Sequence, residues 1–190
     1  GVQADLKTFS ALGTYGMSCI SALTAQNTQG VDKVENVSQA MIRGQLAAIY
    51  SDIVPDAVKT GMLSCRETVE TVAGFLESHN QAPLVVDPVM VATTGARLLD
   101  EEAIISYKER LIPLATLVTP NIPEAEVLSG MAIHTEEDMK QAAEKIMGMG
   151  PKAVLIKGGH KVHDATDFLY DGETFHVFRG EKIDTDNTHG

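Results

Sequence analysis

The residue pattern predicts an α/β protein with a mostly parallel central sheet, on three observations. Short apolar runs alternate with segments of helical periodicity along most of the chain. The unusual polar and glycine residues gather where those runs stop. Near the end, the runs 167–170 and 174–178 flank the turn residues Asp171-Gly172, which reads as a β-hairpin.

The elements follow in order. Val2, Leu6, Phe9 and Leu12 fall at helical spacing, and Gly13 can stop that helix. Residues 17–25 form a strand-like run that ends in the polar loop Gln26-Asn27-Thr28-Gln29-Gly30. Residues 38–50 have helical periodicity, with Met41, Ile42, Leu46 and Ile49 on one face. Residues 57–59 make a short buried strand, followed by Gly61. Ser64-Cys65-Arg66-Glu67 reads as a capping box that opens a helix to about His79. Residues 84–86 are a continuous apolar strand before Asp87, and Asp100 caps a helix to about Ile112. Residues 115–118 are another strand before Thr119; a short helix over 124–128 and one from Thr135 to about Met149 precede the strand 153–156. Right-handed βαβ crossovers put the C-terminal ends of such strands on one sheet edge. That edge is expected to carry the loops after Ala25, Lys59, Val86, Val118 and Ile156.

Bulk properties narrow the class. A chain of 190 residues is most simply one domain, 1–190, with a sizeable core. A net charge of −11 argues against a nucleic-acid surface and against an anionic membrane face. No apolar run is long enough to span a bilayer, and no signal peptide is seen. Cys19 and Cys65 sit in apolar patterns and read as free core thiols, which fits the cytoplasm.

Six segments carry candidate chemistry. Asp87-Pro88 sets a carboxylate at a strand end, where it can hold Mg²⁺ beside a phosphate or simply form a turn. Asn121 and Glu124 stand three apart at a helix start, where they can share a metal–phosphate cluster or act as a cap. Lys157-Gly158-Gly159-His160 offers a cation for phosphate and glycines for close approach of a ligand, or a plain tight turn. His160 and His163 lack the second ligand pair that a zinc site needs. Gln26-Asn27-Thr28 supplies amide groups suited to a heteroaromatic base, though on pattern alone it reads as an ordinary polar loop, and Met62 a side chain that packs on a flat ring or in the core. Asn187-Thr188-His189-Gly190 reads as the opening of a glycine-rich turn of the kind that binds anions, or as a frayed end.

Together these segments resemble the hydroxymethylpyrimidine/phosphomethylpyrimidine kinases of thiamin biosynthesis, in the ribokinase-like superfamily. The resemblance runs through Gln3-Ala4-Asp5-Leu6-Lys7-Thr8-Phe9, Thr24-Ala25-Gln26-Asn27-Thr28, Val58-Lys59-Thr60-Gly61-Met62-Leu63, Val86-Asp87-Pro88-Val89-Met90-Val91, Val118-Thr119-Pro120-Asn121-Ile122-Pro123-Glu124-Ala125, Lys157-Gly158-Gly159-His160 and Asn187-Thr188-His189-Gly190. It implies a three-layer α/β/α fold and transfer of the γ-phosphoryl group of MgATP to the hydroxymethylpyrimidine, then to its monophosphate. It also implies roles. Asp5 and Gln26 bond the aminopyrimidine, and Met62 and Val89 pack on it. Asp87, Asn121 and Glu124 organise Mg²⁺ and the ATP phosphates, with Asp87 and Glu124 as metal ligands. Lys157, Gly158 and Thr188 lie along the nucleotide. A homodimer is implied as well. The family's first strand and the continuation of its His-Gly-Thr-Gly-Cys turn are not in the chain. The expectation is therefore a chain truncated at both ends, with its base beyond Gly190 and little turnover on its own. A pyridoxal or pyridoxine kinase of the same superfamily, and a non-catalytic pyrimidine-binding fragment, are the alternatives; the Gln-Asn-Thr loop favours the aminopyrimidine.

Overall fold

The structure, a computed structural model, describes residues 1–27, 30–79, 81–90, 99–158 and 165–180. Helix α1 (Val2–Ala11) closes at Gly13, whose positive φ of 74° is the left-handed geometry that glycine adopts at no steric cost. Its Leu6 and Phe9 pack over Gly16, where a Cβ would meet Leu6 at 2.7 Å. The chain then forms a two-stranded antiparallel hairpin, β1 (Ala22–Asn27) with β2 (Gly30–Asn36), whose register shifts between Ala25 and Gln26. This corrects the expected strand over 17–25. The strand starts later, Gln26 and Asn27 lie within it, and among the described residues it pairs with β2 and not with the parallel sheet.

Helix α2 (Gln39–Asp52) is capped by Ser38 Oγ, which accepts from the Met41 N–H. The central sheet then begins. Its strands run in the order β3 (Val58–Thr60), β4 (Leu84–Val86), β5 (Leu117–Val118), β6 (Val154–Ile156), β7 (Ala165–Tyr170) and β8 (Phe175–Gly180). The first four are parallel neighbours, and β7 and β8 add an antiparallel hairpin. Short continuous apolar strands suit this place because a parallel sheet is covered by its crossover helices.

Those helices are α3 (Arg66–His79), α4 (Glu101–Ser106), α5 (Ile122–Ser129) and α6 (Glu136–Met147). Asp100 caps α4 through the Ala103 N–H at 2.7 Å, as its sequence suggests. Ahead of α3 the expected capping box does not form. Ser64 Oγ turns instead to Asn36 Oδ1 of β2, and Cys65 O accepts the first helical N–H, from Val69.

Register divides the sheet into two rows. Thr60, Val86, Val118 and Val154 lie side by side and are buried in a core that includes Val69, Leu76, Leu111, Ile122 and Ile146. Lys59, Val85 and Leu117 form the alternate row, which is more open. Thr60 Oγ1 is, among the described residues, the buried side-chain polar atom without a hydrogen-bond partner. A buried hydroxyl in that state is a cost of about 1–3 kcal/mol that an isosteric methyl removes. Thr60→Val is therefore expected to raise the stability of the fold by about 1 kcal/mol. The midpoint of urea unfolding reads this, and a lower midpoint would show that the hydroxyl has a partner.

Candidate active site

The C-terminal ends of β3 to β6 meet at one edge, and the sequence sets a charged or hydrogen-bonding residue at each. Asp87 follows β4. Its N–H still bonds Thr60 O at 2.9 Å, and Val89 N–H folds back to Asp87 O at 2.9 Å, so the chain leaves the sheet at once. Pro88 between them has no N–H to continue a ladder. Lys157 extends β6 by a parallel bridge to Asn121, with its N–H on Pro120 O at 2.8 Å. Lys59 stands in the middle of β3 on the more open row.

These residues form a line of alternating charge. Lys157 Nζ donates to Asp87 Oδ1 at 2.9 Å, and Lys59 Nζ lies 3.8 Å from Asp87 Oδ2. Lys59 also donates to both oxygens of Asp5, at 2.7 and 2.8 Å. Thr119 Oγ1 adds a longer bond to Asp87 Oδ1, at 3.4 Å. Asp5 comes from α1, so one line joins the first helix to the last parallel strand.

Glu124 closes the cluster from α5. Asn121 Oδ1 accepts from Glu124 N–H at 2.9 Å, and Glu124 Oε2 accepts from Asn121 N–H at 2.9 Å, a complete capping box. Glu124 Oε1 takes a bond from the Met90 N–H at 3.4 Å. The residue is only 3% exposed. Burial pushes its carboxyl up from 4.5 to about 7, and the charge of Asp87 pushes the same way; the Asn121 N–H, Lys157 and the Met90 N–H oppose the rise. A raised folded value means that folding favours the proton. The contribution of this group to stability is full below pH 4.5 and is lost as pH rises through about 7.

The remaining candidates are less tightly drawn in. Met62 and Val89 are half-buried, and Met62 O accepts from Ser21 Oγ at 2.9 Å. Gln26 is exposed in β1, and Thr24 Oγ1 donates to its Oε1 at 3.4 Å. Gly158 N–H donates to Asp167 Oδ1 at 2.8 Å. A Cβ on Gly158 would lie 2.0 Å from Thr166 O. What comes close to this glycine is the backbone of β7, a reason the sequence did not disclose. Thr188 lies outside the described residues, as do Thr28, Val91, Gly159, His160, His163 and 187–190.

The structure thus brings Asp5, Asp87, Asn121, Glu124 and Lys157 together and adds Lys59, to which the sequence reading gave no role. Its signal was there: a lysine inside a three-residue strand between Val58 and a buried threonine. Among the described residues, no group of three or more His, Cys, Asp or Glu is placed to hold a metal ion on its own, and no helix is long and apolar enough to cross a membrane.

A family model described as phosphomethylpyrimidine kinase matches residues 1–190. The thiamine biosynthesis bifunctional protein ThiED of Geobacter sulfurreducens is 51% identical over 191 residues, which take in 100% of this chain and 39% of that protein. The hydroxymethylpyrimidine/phosphomethylpyrimidine kinase of Rhizobium meliloti is 50% identical over 192 residues, 100% of this chain and 72% of that one. The chain therefore spans about two fifths of the first relative's length. Among solved structures, phosphomethylpyrimidine kinase from Clostridium difficile 630 superposes with a TM-score of 0.89 at 49% identity, over 96% of this chain and 79% of that one. The pyridoxal kinase from Staphylococcus aureus in complex with AMP-PCP and pyridoxal superposes with a TM-score of 0.87 at 36% identity, over 97% and 67%. These likenesses sustain the ribokinase-like α/β class expected from the sequence.

The contact at Gly158 is a test of the local geometry. Gly158→Ala forces a methyl into the β7 backbone and is expected to cost about 3 kcal/mol or to prevent folding. Chemical denaturation reads this, and a change under about 0.5 kcal/mol would show that β7 can withdraw.

Proposed function

Because this chain belongs to the phosphomethylpyrimidine kinase family, we propose that it carries the substrate-side and phosphate-side loops of a thiamin-pathway kinase. The reaction is ATP-dependent phosphorylation of 4-amino-5-hydroxymethyl-2-methylpyrimidine, and then of its monophosphate to the pyrophosphate. The observation that carries this reading is the charge line from Asp5 through Lys59 and Asp87 to Lys157, with Glu124 beside it, across the ends of four parallel strands.

Phosphoryl transfer asks for in-line positioning and neutralised charge, with little covalent chemistry from the protein. In this reading Lys157 exchanges its bond to Asp87 for a phosphate oxygen, and the freed carboxylate faces the same space. Asp5 and Gln26 bond the ring while Met62 and Val89 pack on it. Asp5 keeps acceptor capacity for this beside Lys59, since each carboxylate oxygen has more than one lone pair. Asn121 fixes the start of α5 and with it the place of Glu124, and Gly158 and Thr188 belong to the nucleotide side.

Mg²⁺ fits the donor set as an ion shared with phosphates. Asp87 and Glu124 are hard oxygen donors and feel each other's charge. Mg²⁺ is ordinarily held by one or two carboxylates, with waters and substrate phosphates filling the rest. Bound there, it would offset phosphate charge that two lysines facing three carboxylates leave unbalanced. The free thiols Cys19 and Cys65 suit the cytoplasm, the compartment of this reading. A homodimer belongs to this reading too.

The decisive assay is ADP formation with product mass, from the hydroxymethylpyrimidine and MgATP, by the full-length gene product. Mono- and pyrophosphate are expected. Pyridoxal phosphate instead would move the assignment toward the pyridoxal kinases it resembles. Pyrimidine binding without ADP would leave a binding protein.

The titration of Glu124 gives a second test. With the carboxyl near 7, kcat/KM for MgATP is expected to rise across pH 6–8 as it ionises. Glu124→Gln keeps the cap but cannot ionise, so activity should fall and this limb should flatten. A variant that retained the wild-type limb would remove Glu124 from the phosphate site.

A further inference from the structure

Tyr107 is fully buried and opens a π-helical turn, Tyr107–Leu111, directly after α4. Such turns redirect side chains and recur at functional places. Its phenol reaches the loop that follows β3, donating to Gly61 O at 3.2 Å and accepting from the Leu63 N–H at 3.3 Å. One hydroxyl thus spans the three-residue turn and uses both its donor and its acceptor capacity. The carbonyl between those two groups, Met62 O, is held from the other side by Ser21 Oγ at 2.9 Å.

Gly61, Met62 and Leu63 belong to no helix or strand, so side chains must satisfy their polar groups. The bonds come from 41, 44 and 46 residues away in the chain. Leu63 is buried, while Met62 is left half-buried. The phenol is fully buried. Burial raises its pKa, which keeps the donated proton in place.

We propose that Tyr107 is a positioning residue: its hydroxyl fixes the Gly61–Leu63 turn and thereby sets where Met62 meets the ring of the substrate. The proposal rests on the kinase reading above. Tyr107 itself does not touch the substrate, and its effect is exerted through the turn. A purely structural hydroxyl would change stability without changing how the ring is bound.

The test is Tyr107→Phe in the full-length gene product, with Ser21→Ala as a second variant that loosens the same turn from the opposite side. The phenylalanine keeps the buried ring and leaves Gly61 O and Leu63 N–H without their partner. KM for the pyrimidine is expected to rise about tenfold, the size of one lost hydrogen bond, with kcat and the KM for ATP changed less than about twofold. Ser21→Ala is expected to raise the same KM about threefold, and it decides the matter if the Tyr107 variant does not fold. An unchanged pyrimidine KM in folded variants, or an equal rise in the KM for ATP, overturns the proposal. Pyridoxal is run in parallel. A wild type that uses pyridoxal alone refutes the pyrimidine assignment, and the KM ratio for pyridoxal then decides the role of Tyr107. A wild type that uses neither ring refutes both.

Discussion

Asp87 is shared by two lysines from two other strands, and the candidate site depends on that sharing. One oxygen takes Lys157 at 2.9 Å and the other faces Lys59 at 3.8 Å. Lys59 in turn takes Asp5, which ties α1 to the sheet edge across 54 residues of chain. The side chains are between a fifth and two fifths exposed, so water screens the attraction and the pairs add little to overall stability. Their value is geometric. They hold two ammonium groups apart on a carboxylate that the sheet itself positions, and either ammonium can leave for another anion at small cost.

The part of this that was legible in the sequence is the part set by local pattern. Leu84–Val86 and Val154–Ile156 read as strands because nothing polar interrupts them, and Asp87 and Lys157 stood out by ending them. Asn121 and Glu124 were legible as a cap because capping is a three-residue matter. The hairpin of β1 and β2 was hidden. In β2 the apolar Val31 and Val34 stand three apart, without the alternation of a half-buried strand, and β1 carries a register shift at Gln26. Ser64 misled for a related reason: its capping pattern is sound locally, but a partner 28 residues away takes the hydroxyl.

Lys59 and Tyr107 were missed, and the β7 contact of Gly158 was not foreseen, because these links are long-range. Nothing near Tyr107 in the sequence points to a loop more than forty residues earlier, and a helical spacing accounts for it as plain core. Gly158 invited the common explanation that a ligand comes close, while the fold brings β7 to it. Contact with β7 accounts for the glycine and leaves its proposed place on the nucleotide side, where its N–H is the polar group it offers. That N–H is already engaged by Asp167.

Glu124 shows how a structural and a chemical role can share one side chain. The capping box needs an acceptor at this position, and a neutral glutamine would supply it as well as a carboxylate does. The charge is therefore surplus to the cap. It is also unfavourable: burial and Asp87 raise the carboxyl to about 7, so at neutral pH the fold holds it only partly ionised. Sites of function are where local rules are broken against stability. In the proposed kinase, a cation arriving with the phosphates reverses the balance, because it favours the ionised form that burial disfavours. The buried acid then gives a differential affinity: the same displacement from 4.5 to about 7 that weakens the fold makes the anion wait for a positive partner.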